Sequence, residues 1–379
     1  MAPQERSITT RPLEIGIDGG TWSNRRGYGR FLRELLPELA RVRPQWRFTV
    51  FLDQEQSDTI EAPNVRWVAA GTAGSVSAGA TADSARSVTD LLRMSAVVAR
   101  AKLDAFWFPT VYSYFPILGR MPVALGIHDT MADRFPQWAF SGRKQKLFWD
   151  WKVRLALAQA ARIVTVSEYS SDSIAAHFSL HPRRISVVSE GPAPVFRPSA
   201  AKEEPFVLAV GGISPNKNLG TLIRAVSKLP SLRLVLVGDY KNDGFRGCYE
   251  QLRAEAVALD MRDRIEFAGY VSDEELAGLY NRCMVFAMPS LEEGFGLPLV
   301  EAMACGCACV VAGGHALEEV GGDAVRVARR QWAEELGAVV DNPALRAELR
   351  RRALLRAAEF SWERGARALA RVLEELVGE

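Results

Sequence analysis

Residues Glu293 to Glu301 read Glu-Gly-Phe-Gly-Leu-Pro-Leu-Val-Glu, and this stretch is the most informative in the chain. Pro298 suits the first turn of a helix, because the N–H group that proline lacks has no partner there, and Ala302 to Ala304 continue with good helix formers. Glu293 is therefore predicted to lie in a loop and Glu301 inside a helix. Glycines in such a loop let the backbone approach a ligand, and a helix start offers free N–H groups to a phosphate.

Short apolar runs alternate with helical patterns on both sides of Gly191 to Pro205, a segment with four prolines that is predicted to be the crossing between two domains. The predicted strands before that segment are Leu13 to Asp18, Arg47 to Asp53, Val65 to Ala70, Ala105 to Pro109, Val123 to His128, Ile163 to Ser167 and Ile185 to Ser189. Those after it are Phe206 to Val210, Leu232 to Gly238, Ile265 to Gly269, Val285 to Pro289 and Cys307 to Ala312. Such alternation predicts α/β structure with two Rossmann-like parallel-sheet domains that face each other across a cleft. The expected domains are residues 1–195 on the acceptor side and residues 196–360 for the donor nucleotide, followed by a C-terminal helix in residues 361–379.

Composition excludes several classes of protein. The chain has 379 residues, of which 48% are hydrophobic and 24% charged, and its net charge is only +2, so bulk charge does not indicate nucleic-acid binding. Its five cysteines fit free thiols in a reducing compartment better than a disulfide framework. The first residues lack the apolar core of a signal peptide, and we therefore expect a cytoplasmic protein.

The motif, continued by Ala302-Met-Ala-Cys-Gly306, resembles the Glu-x7-Glu signature of the retaining glycosyltransferases of family four, which have the GT-B fold. The resemblance implies that Glu293 binds hydroxyl groups of the donor sugar and that Glu301 binds those of the donor ribose. It also implies that the C-terminal helix packs back on the first domain. The donor is expected to contact the backbone between the two carboxylates, at Gly294, Phe295, Gly296 and Leu297.

A second glycine-containing loop, Gly211 to Asn218, lies between a predicted strand and a predicted helix. Lys217 in this loop is our candidate for stabilising the charge of a diphosphate leaving group. The family usually has an arginine here as well, but Gly212 and Asn216 stand where we would look for it. Arg25, Arg26 or Arg30 of the first domain could replace it when the domains close. Gly212 remains a candidate for backbone contact with the donor.

Three further positions complete the predicted site. His128 ends a predicted strand, and the family has a histidine at the matching position that contacts the donor sugar. Gly19 and Gly20 follow the first strand, where small residues allow the backbone to approach the donor phosphate or the acceptor. Val271, after Tyr270, matches the place where the family binds the base. No metal site is predicted, and no cofactor is expected beyond the nucleoside-diphosphate sugar that serves as donor.

Two stretches have simpler interpretations that compete with a functional one. Cys305, Cys307 and Cys309 alternate, but they lack histidine neighbours and a fourth well-spaced ligand, so core packing is favoured over a metal site. The segment Arg134 to Arg154 interleaves aromatic and basic residues. It could lie on an anionic membrane, although a solvated helix with an aromatic core face is the favoured interpretation.

The sequence thus predicts a retaining hexosyltransferase that moves a sugar from a nucleoside-diphosphate sugar to a glycan, a lipid-linked glycan or a small-molecule hydroxyl. Polysaccharide biosynthesis is one setting for such a reaction. A GT-B sugar-nucleotide epimerase and a noncatalytic partner that binds nucleotide sugars remain alternatives. Nucleic acid is not an expected partner, and peripheral contact with the inner face of the membrane stays open.

Overall fold

Two parallel sheets organise the chain in the computed structural model, which describes residues 11–24, 27–74, 86–240 and 248–378. The first sheet contains β1 (Glu14–Asp18), β2 (Arg47–Leu52), β3 (Val65–Ala69), β4 (Ala105–Phe108), β5 (Val123–Gly126), β6 (Ala160–Thr165) and β7 (Ile185–Val187). The second contains β8 (Glu204–Val210), β9 (Arg233–Val237), β10 (Ile265–Gly269), β11 (Cys283–Met288), β12 (Cys309–Ala312) and β13 (Val325–Ala328). The strand orders are β3-β2-β1-β4-β5-β6-β7 and β10-β9-β8-β11-β12-β13, with parallel pairing at each neighbour. The predicted α/β class is confirmed.

Helices connect most of the strands, because parallel neighbours need a crossover connection. The helices of the first half are α1 (Gly27–Val42), α2 (Val88–Ala99), α3 (Met131–Arg134), α4 (Pro136–Ala139), α5 (Arg143–Gln159) and α6 (Glu168–Phe178). Those of the second half are α7 (Leu219–Ser227), α8 (Tyr249–Ala258), α9 (Asp273–Arg282), α10 (Leu297–Ala304), α11 (Ala316–Gly321), α12 (Trp332–Asp341), α13 (Pro343–Ala357) and α14 (Trp362–Gly378).

Local sequence signals explain where several helices begin. Ser272 and Glu275 form a capping box in front of α9, because each side chain accepts a hydrogen bond from the other residue's backbone N–H. The N-cap of α6 is Ser167, whose hydroxyl accepts from the Ser170 N–H. The helix therefore begins at Glu168, directly after this residue.

The C-terminal helix α14 packs on α1 and on the face of the first sheet. Its buried side chains include Leu369 and Leu373. Two close backbone contacts hold the start of α14 against the segment that follows β7. A Cβ atom at Gly191 would lie 2.5 Å from the Ser361 Cα atom, and one at Gly365 would lie 2.5 Å from the Ser189 carbonyl oxygen.

The cysteines do not form disulfides, and Cys305, Cys307 and Cys309 are buried in the apolar core of the second sheet. This confirms the core-packing interpretation. Among the described residues, no helix combines the length and apolarity needed to cross a bilayer. Arg25 and Arg26, two of the candidate replacements for the missing arginine, lie outside the described residues.

Candidate active site

The loop after β8 brings Lys217 to the edge of the second sheet. Gly211 has φ +145°, a conformation that favours glycine, and it lets the chain turn sharply into the short 3-10 turn Pro215–Lys217. The Lys217 ammonium lies 2.5 Å from Oε1 of Glu293, and both side chains remain partly exposed. Two residues that are 76 positions apart in sequence, and that the motifs single out separately, therefore form one ion pair.

The loop between β11 and α10 has the predicted form. Gly296, with φ +96°, precedes the helix, and Pro298 lies in its first turn. Glu293 consequently lies in the loop, whereas Glu301 lies inside α10 with only 2% of its side chain exposed. This confirms the predicted placement of the two carboxylates. The backbone at Phe295 and Leu297 is mostly enclosed, and both side chains are buried.

Gly294 lies where the two halves of the molecule meet. A Cβ atom at this position would come within 2.4 Å of the His128 carbonyl oxygen, so a larger residue would push the loop away from the end of β5. The Gly294 carbonyl accepts hydrogen bonds from the hydroxyls of Ser167 and Ser170, at 2.5 and 2.9 Å. The N-terminal end of α6 thus holds the motif loop against the first sheet.

A second contact fastens the same loop. Glu292 is buried and accepts hydrogen bonds from the Arg134 guanidinium at 3.0 Å and from the Tyr169 hydroxyl at 2.9 Å. Sequence reasoning did not single out Glu292, because its role depends on residues that lie more than 120 positions away. The two contacts together describe a cleft whose walls touch at the motif.

His128 faces this junction as a neutral imidazole. Its Nε2 atom lies 3.0 Å from the Pro109 carbonyl oxygen, so Nε2 carries the hydrogen and Nδ1 keeps its lone pair. Burial lowers the pKa of His128 to about 4, which leaves the ring uncharged at neutral pH. The rings of Tyr28 and Phe31 pack edge-on against it.

Glu190 is a buried acid that sequence reasoning missed. It precedes the segment that was assigned to the domain crossing, and its Oε1 atom lies 4.0 Å from His128 Nδ1. Burial raises the pKa of Glu190 to about 8, and the charges of Glu301 and Glu293 raise it further while Arg30 opposes them. Glu190 is therefore mostly protonated at pH 7, and it adds little negative charge to the cleft.

Glu301 is the buried end of an ion pair that crosses between the two halves. Arg30 of α1 lies 2.9 Å from Oε1 of Glu301 and also contacts Asp273, while the Tyr280 hydroxyl donates to Oε2 at 3.3 Å. Burial raises the pKa of Glu301 to about 7 although Arg30 opposes this shift. The contact with Arg30 lacks hydrogen-bond geometry, so within the described residues Oε1 accepts no hydrogen bond. A buried acceptor without a donor suits a ligand hydroxyl.

Arg30 is one of the candidates to replace the arginine that the Gly211 to Asn218 loop lacks. Its guanidinium pairs with Glu301 and Asp273 rather than with the Lys217–Glu293 pair. In this arrangement Arg30 supports the predicted ribose carboxylate, and it does not supply a second cation beside Lys217.

The first glycine loop, after β1, is filled by protein groups. Asp18 is fully buried against Arg86 and the Ser113 hydroxyl, and it accepts the Gly20 N–H at 3.2 Å. The Gly19 N–H donates to the Phe51 carbonyl at 2.8 Å. Donor contact at Gly19 and Gly20 stays a prediction, and binding through these amides would require them to exchange partners.

The remaining predicted positions lie on the second sheet. Gly212 adjoins Gly211 in the Lys217 loop, and Val271 is half-buried after β10, next to an exposed Tyr270. The structure thus brings Lys217, Glu293, Gly294 and His128 together. Glu301 lies eight residues further along, at the domain contact made by Arg30.

Comparison with protein families identifies both halves of this arrangement. The model for glycosyl transferases group 1 matches residues 195–356, and the model for Glycosyltransferase Family 4 matches residues 25–192. The chain belongs to the family 4 glycosyltransferases. The matched ranges correspond to the two sheets, so the family assignment accounts for nearly the whole chain.

Two bacterial glycosyltransferases have moderate sequence similarity to this chain. The O-antigen chain mannosyltransferase B of Escherichia coli is 32% identical over 228 residues, which are 55% of this chain and 59% of that protein. The D-inositol 3-phosphate glycosyltransferase of Mycolicibacterium smegmatis is 31% identical over 221 residues, which are 54% of this chain and 50% of that protein. The matches span about half of these curated relatives.

Solved structures of more distant proteins share the fold. Sucrose-phosphate synthase from Thermosynechococcus elongatus has a TM-score of 0.77 at 17% identity, covering 97% of this chain and 99% of that one. HepE of Anabaena, in complex with UDP-glucose, has a TM-score of 0.72 at 18% identity, covering 96% of this chain and all of that one. These likenesses show the fold alone, and they confirm the predicted GT-B architecture.

Proposed function

We propose that this family 4 glycosyltransferase transfers a hexose-type sugar from a nucleoside-diphosphate sugar to an acceptor hydroxyl, with retention of the anomeric configuration. One observation carries the proposal: the Lys217–Glu293 ion pair lies in the same cleft as the buried Glu301, whose Oε1 atom is ion-paired with Arg30 but accepts no hydrogen bond. The cation suits a diphosphate, and the carboxylates suit sugar and ribose hydroxyls. That HepE binds UDP-glucose supports a nucleotide-sugar donor.

The proposed chemistry breaks the bond between the anomeric carbon and the diphosphate while the acceptor oxygen forms a new bond on the same face. Negative charge grows on the leaving diphosphate, and the Lys217 ammonium together with backbone amides of the glycine loops stabilises it. The acceptor proton passes to the leaving phosphate oxygen. No covalent nucleophile is required, and Glu293 stays committed to orienting the sugar.

The first half orients the donor sugar and lines the reaction site with uncharged side chains. A neutral His128 and a protonated Glu190 place no net charge beside the anomeric carbon at pH 7. The contacts of Ser167 and Ser170 with Gly294 hold the cleft closed and exclude water from the donor.

The sugar hydroxyls compete with Lys217 for Glu293. The ion pair at 2.5 Å occupies one carboxylate oxygen, so donor binding is expected to move the ammonium toward the diphosphate and to free that oxygen for the sugar. The step exchanges one charge-assisted contact for another, which keeps its cost low.

A noncatalytic nucleotide-sugar binder remains the second candidate, because Gly212 and Asn216 replace the expected arginine and Arg30 is engaged elsewhere. A GT-B epimerase would alter the donor without an acceptor. Chromatography of reactions that contain only protein and donor separates the three outcomes, since a binder leaves the donor intact, an epimerase isomerises it and a transferase slowly hydrolyses it.

The ribose assignment is tested with E301Q. Replacing the carboxylate by an amide removes one charged acceptor, and charge-assisted hydrogen bonds contribute about 1.5–3 kcal/mol. We expect the affinity for the free nucleoside diphosphate to fall about tenfold to a hundredfold by titration calorimetry. Unchanged affinity would remove Glu301 from the site.

A further inference from the structure

A pocket of about 120 Å³ opens on the first half of the molecule, between α2, the segment after β4 and α5. The exposed surface of its walls is mostly apolar, although Arg86 and Lys152 also line it. Tyr112, Tyr114 and Pro116 line one side, Leu91 of α2 the second, and Phe148, Trp151 and Leu155 of α5 the third. None of the catalytic assignments above uses this pocket.

Large apolar side chains surround the mouth of the pocket and face solvent. Leu147 is 60% exposed and Trp151 is 59% exposed, and Phe148 and Leu155 are exposed as well. The nine tryptophans of the chain all lie among the described residues, and Trp151 is the exposed one. A cluster of this kind on one helix marks an interaction surface more often than a lone exposed leucine does.

The charge on the same helix face is positive. At about 100° per residue, Arg143, Lys144 and Arg154 project on the arc that carries Leu147 and Trp151, and all three are exposed. The one acidic residue of α5, Asp150, is ion-paired with Lys146 at the margin of this arc. An exposed helix face that combines leucine, phenylalanine and tryptophan with arginine and lysine is suited to the interface of an anionic bilayer.

One aromatic ring links this surface to the cleft. Tyr112 forms a wall of the apolar pocket, and its ring also packs on Tyr28 at 4.8 Å between centroids. Tyr28 in turn contacts His128, at 5.0 Å between ring centroids. Two contacting aromatic rings, those of Tyr112 and Tyr28, thus connect the pocket to His128 within the first half of the molecule.

We propose that the α5 face docks on an anionic lipid surface and that the adjoining pocket receives a hydrocarbon chain of a membrane-embedded acceptor. The surface is defined by Arg143, Lys144, Leu147, Phe148, Trp151, Arg154 and Leu155. Docking explains why these apolar side chains face outward beside a cation-rich arc. The acceptor assignment rests on the proposed transferase function, whereas docking itself does not.

Co-sedimentation with vesicles tests the docking step on the full chain. We expect binding to vesicles of phosphatidylcholine with 30 mol% phosphatidylglycerol, and at least tenfold weaker binding to phosphatidylcholine alone. L147E should lower binding to the anionic vesicles at least tenfold. L355E is the matched control, because Leu355 of α13 is 61% exposed on the other half of the molecule, and it should bind as the wild type does. Equal loss in both variants, or no binding by the wild type, would overturn the proposal.

Brominated acyl chains test the pocket, since bromine quenches an indole only at close range. Fluorescence of the wild type should be quenched by vesicles of brominated phosphatidylcholine with 30 mol% phosphatidylglycerol. W151F should lose most of that quenching, because Trp67 and Trp138 are half-buried and the other six tryptophans are buried. Equal quenching in W151F would refute the assignment. Sedimentation that reveals a dimer broken by L147E would instead assign this face to a second copy of the chain.

Donor consumption without vesicles separates this inference from the proposed function. If donor hydrolysis is present and equal in the wild type and L147E while vesicle binding fails, the transferase proposal stands and the docking proposal is wrong. If vesicle binding follows the expected pattern while every donor stays intact and unbound, the transferase proposal and the acceptor assignment fail and docking alone stands.

Discussion

The first strand of each sheet is followed by a glycine pair, yet the two loops are built for different tasks. After β1, Asp18 and Arg86 fill the space beside Gly20 with a buried ion pair. After β8, Gly211 and Gly212 lie beside Lys217, which is partly exposed and pairs with Glu293 in the loop after the neighbouring strand β11. Glycines after a strand therefore do not by themselves define a phosphate site, because the neighbouring elements decide whether the loop is accessible to a ligand.

The two arginines that face buried acids differ in the same way. Arg86 is almost fully buried and has hydrogen-bonding partners at Asp53 and the Ser113 carbonyl. Arg30 is half-buried and crosses from one half to the other, where it leaves Oε1 of Glu301 without a hydrogen bond. The first arrangement lies within one half of the molecule, and the second links the two halves at the predicted ribose carboxylate.

Removing the buried cation from the loop after β1 should produce the largest effect among these variants, and this effect should be a loss of stability. R86M leaves Asp18 and Asp53 without their cation, and removing one partner of a buried ion pair costs about 3–5 kcal/mol. We expect the free energy of unfolding in urea to fall by about that amount, while nucleotide affinity of the folded fraction changes less than in E301Q. D53N is a milder companion variant if R86M does not fold. A specific loss of nucleotide binding without loss of stability would contradict the assignment of Arg86 and the loop after β1 to stability.

Breaking the second loop should affect catalysis. K217A removes the proposed cation at the diphosphate, and loss of one such electrostatic contact lowers turnover by about 100- to 1000-fold. The free energy of unfolding should change by less than in R86M, because Lys217 and Glu293 are both partly exposed. K217R serves as the control that keeps the charge. Wild-type kcat in K217A would remove this residue from the mechanism.

The smallest expected effect is a pH dependence of nucleotide binding that follows the ionisation of Glu301. Burial raises the pKa of Glu301 to about 7, so the carboxylate that accepts ribose hydroxyls loses population as the pH falls. Between pH 7 and pH 6 its ionised fraction falls about fivefold, and nucleotide affinity should fall by a similar factor beyond the change seen in E301Q. Parallel pH profiles for the wild type and E301Q would contradict this assignment.

Local patterns predicted much of this architecture. Apolar runs located the strands β1 to β12 within a few residues, and the proline and glycines of the motif placed Glu293 in a loop and Glu301 in α10. These features depend on residues that are close in sequence. The strand β13 (Val325–Ala328) was not predicted, because its four residues include an arginine and give little periodicity.

Contacts between distant segments could not be predicted. Nothing near Gly20 indicates that Arg86 will close the loop, since 66 positions separate the two residues. Glu190 lies between the last predicted strand of the first half and the crossing segment, and only the packing of distant segments places it near His128. The favoured interpretation of Arg134 to Arg154 was a helix with a buried aromatic face. Trp149 fits that interpretation, but Trp151 and Phe148 point outward.

The claim that Lys217 and the loop after β8 hold the donor diphosphate is tested most directly by one variant of that loop. Purified wild type and K217A are incubated without acceptor with guanosine, uridine, thymidine and adenosine diphosphate sugars, and the nucleotide products are resolved by chromatography. We predict that the wild type slowly releases one nucleoside diphosphate and that K217A releases it at least a hundredfold more slowly. Equal release by both proteins would contradict the claim that Lys217 and its loop hold the donor diphosphate.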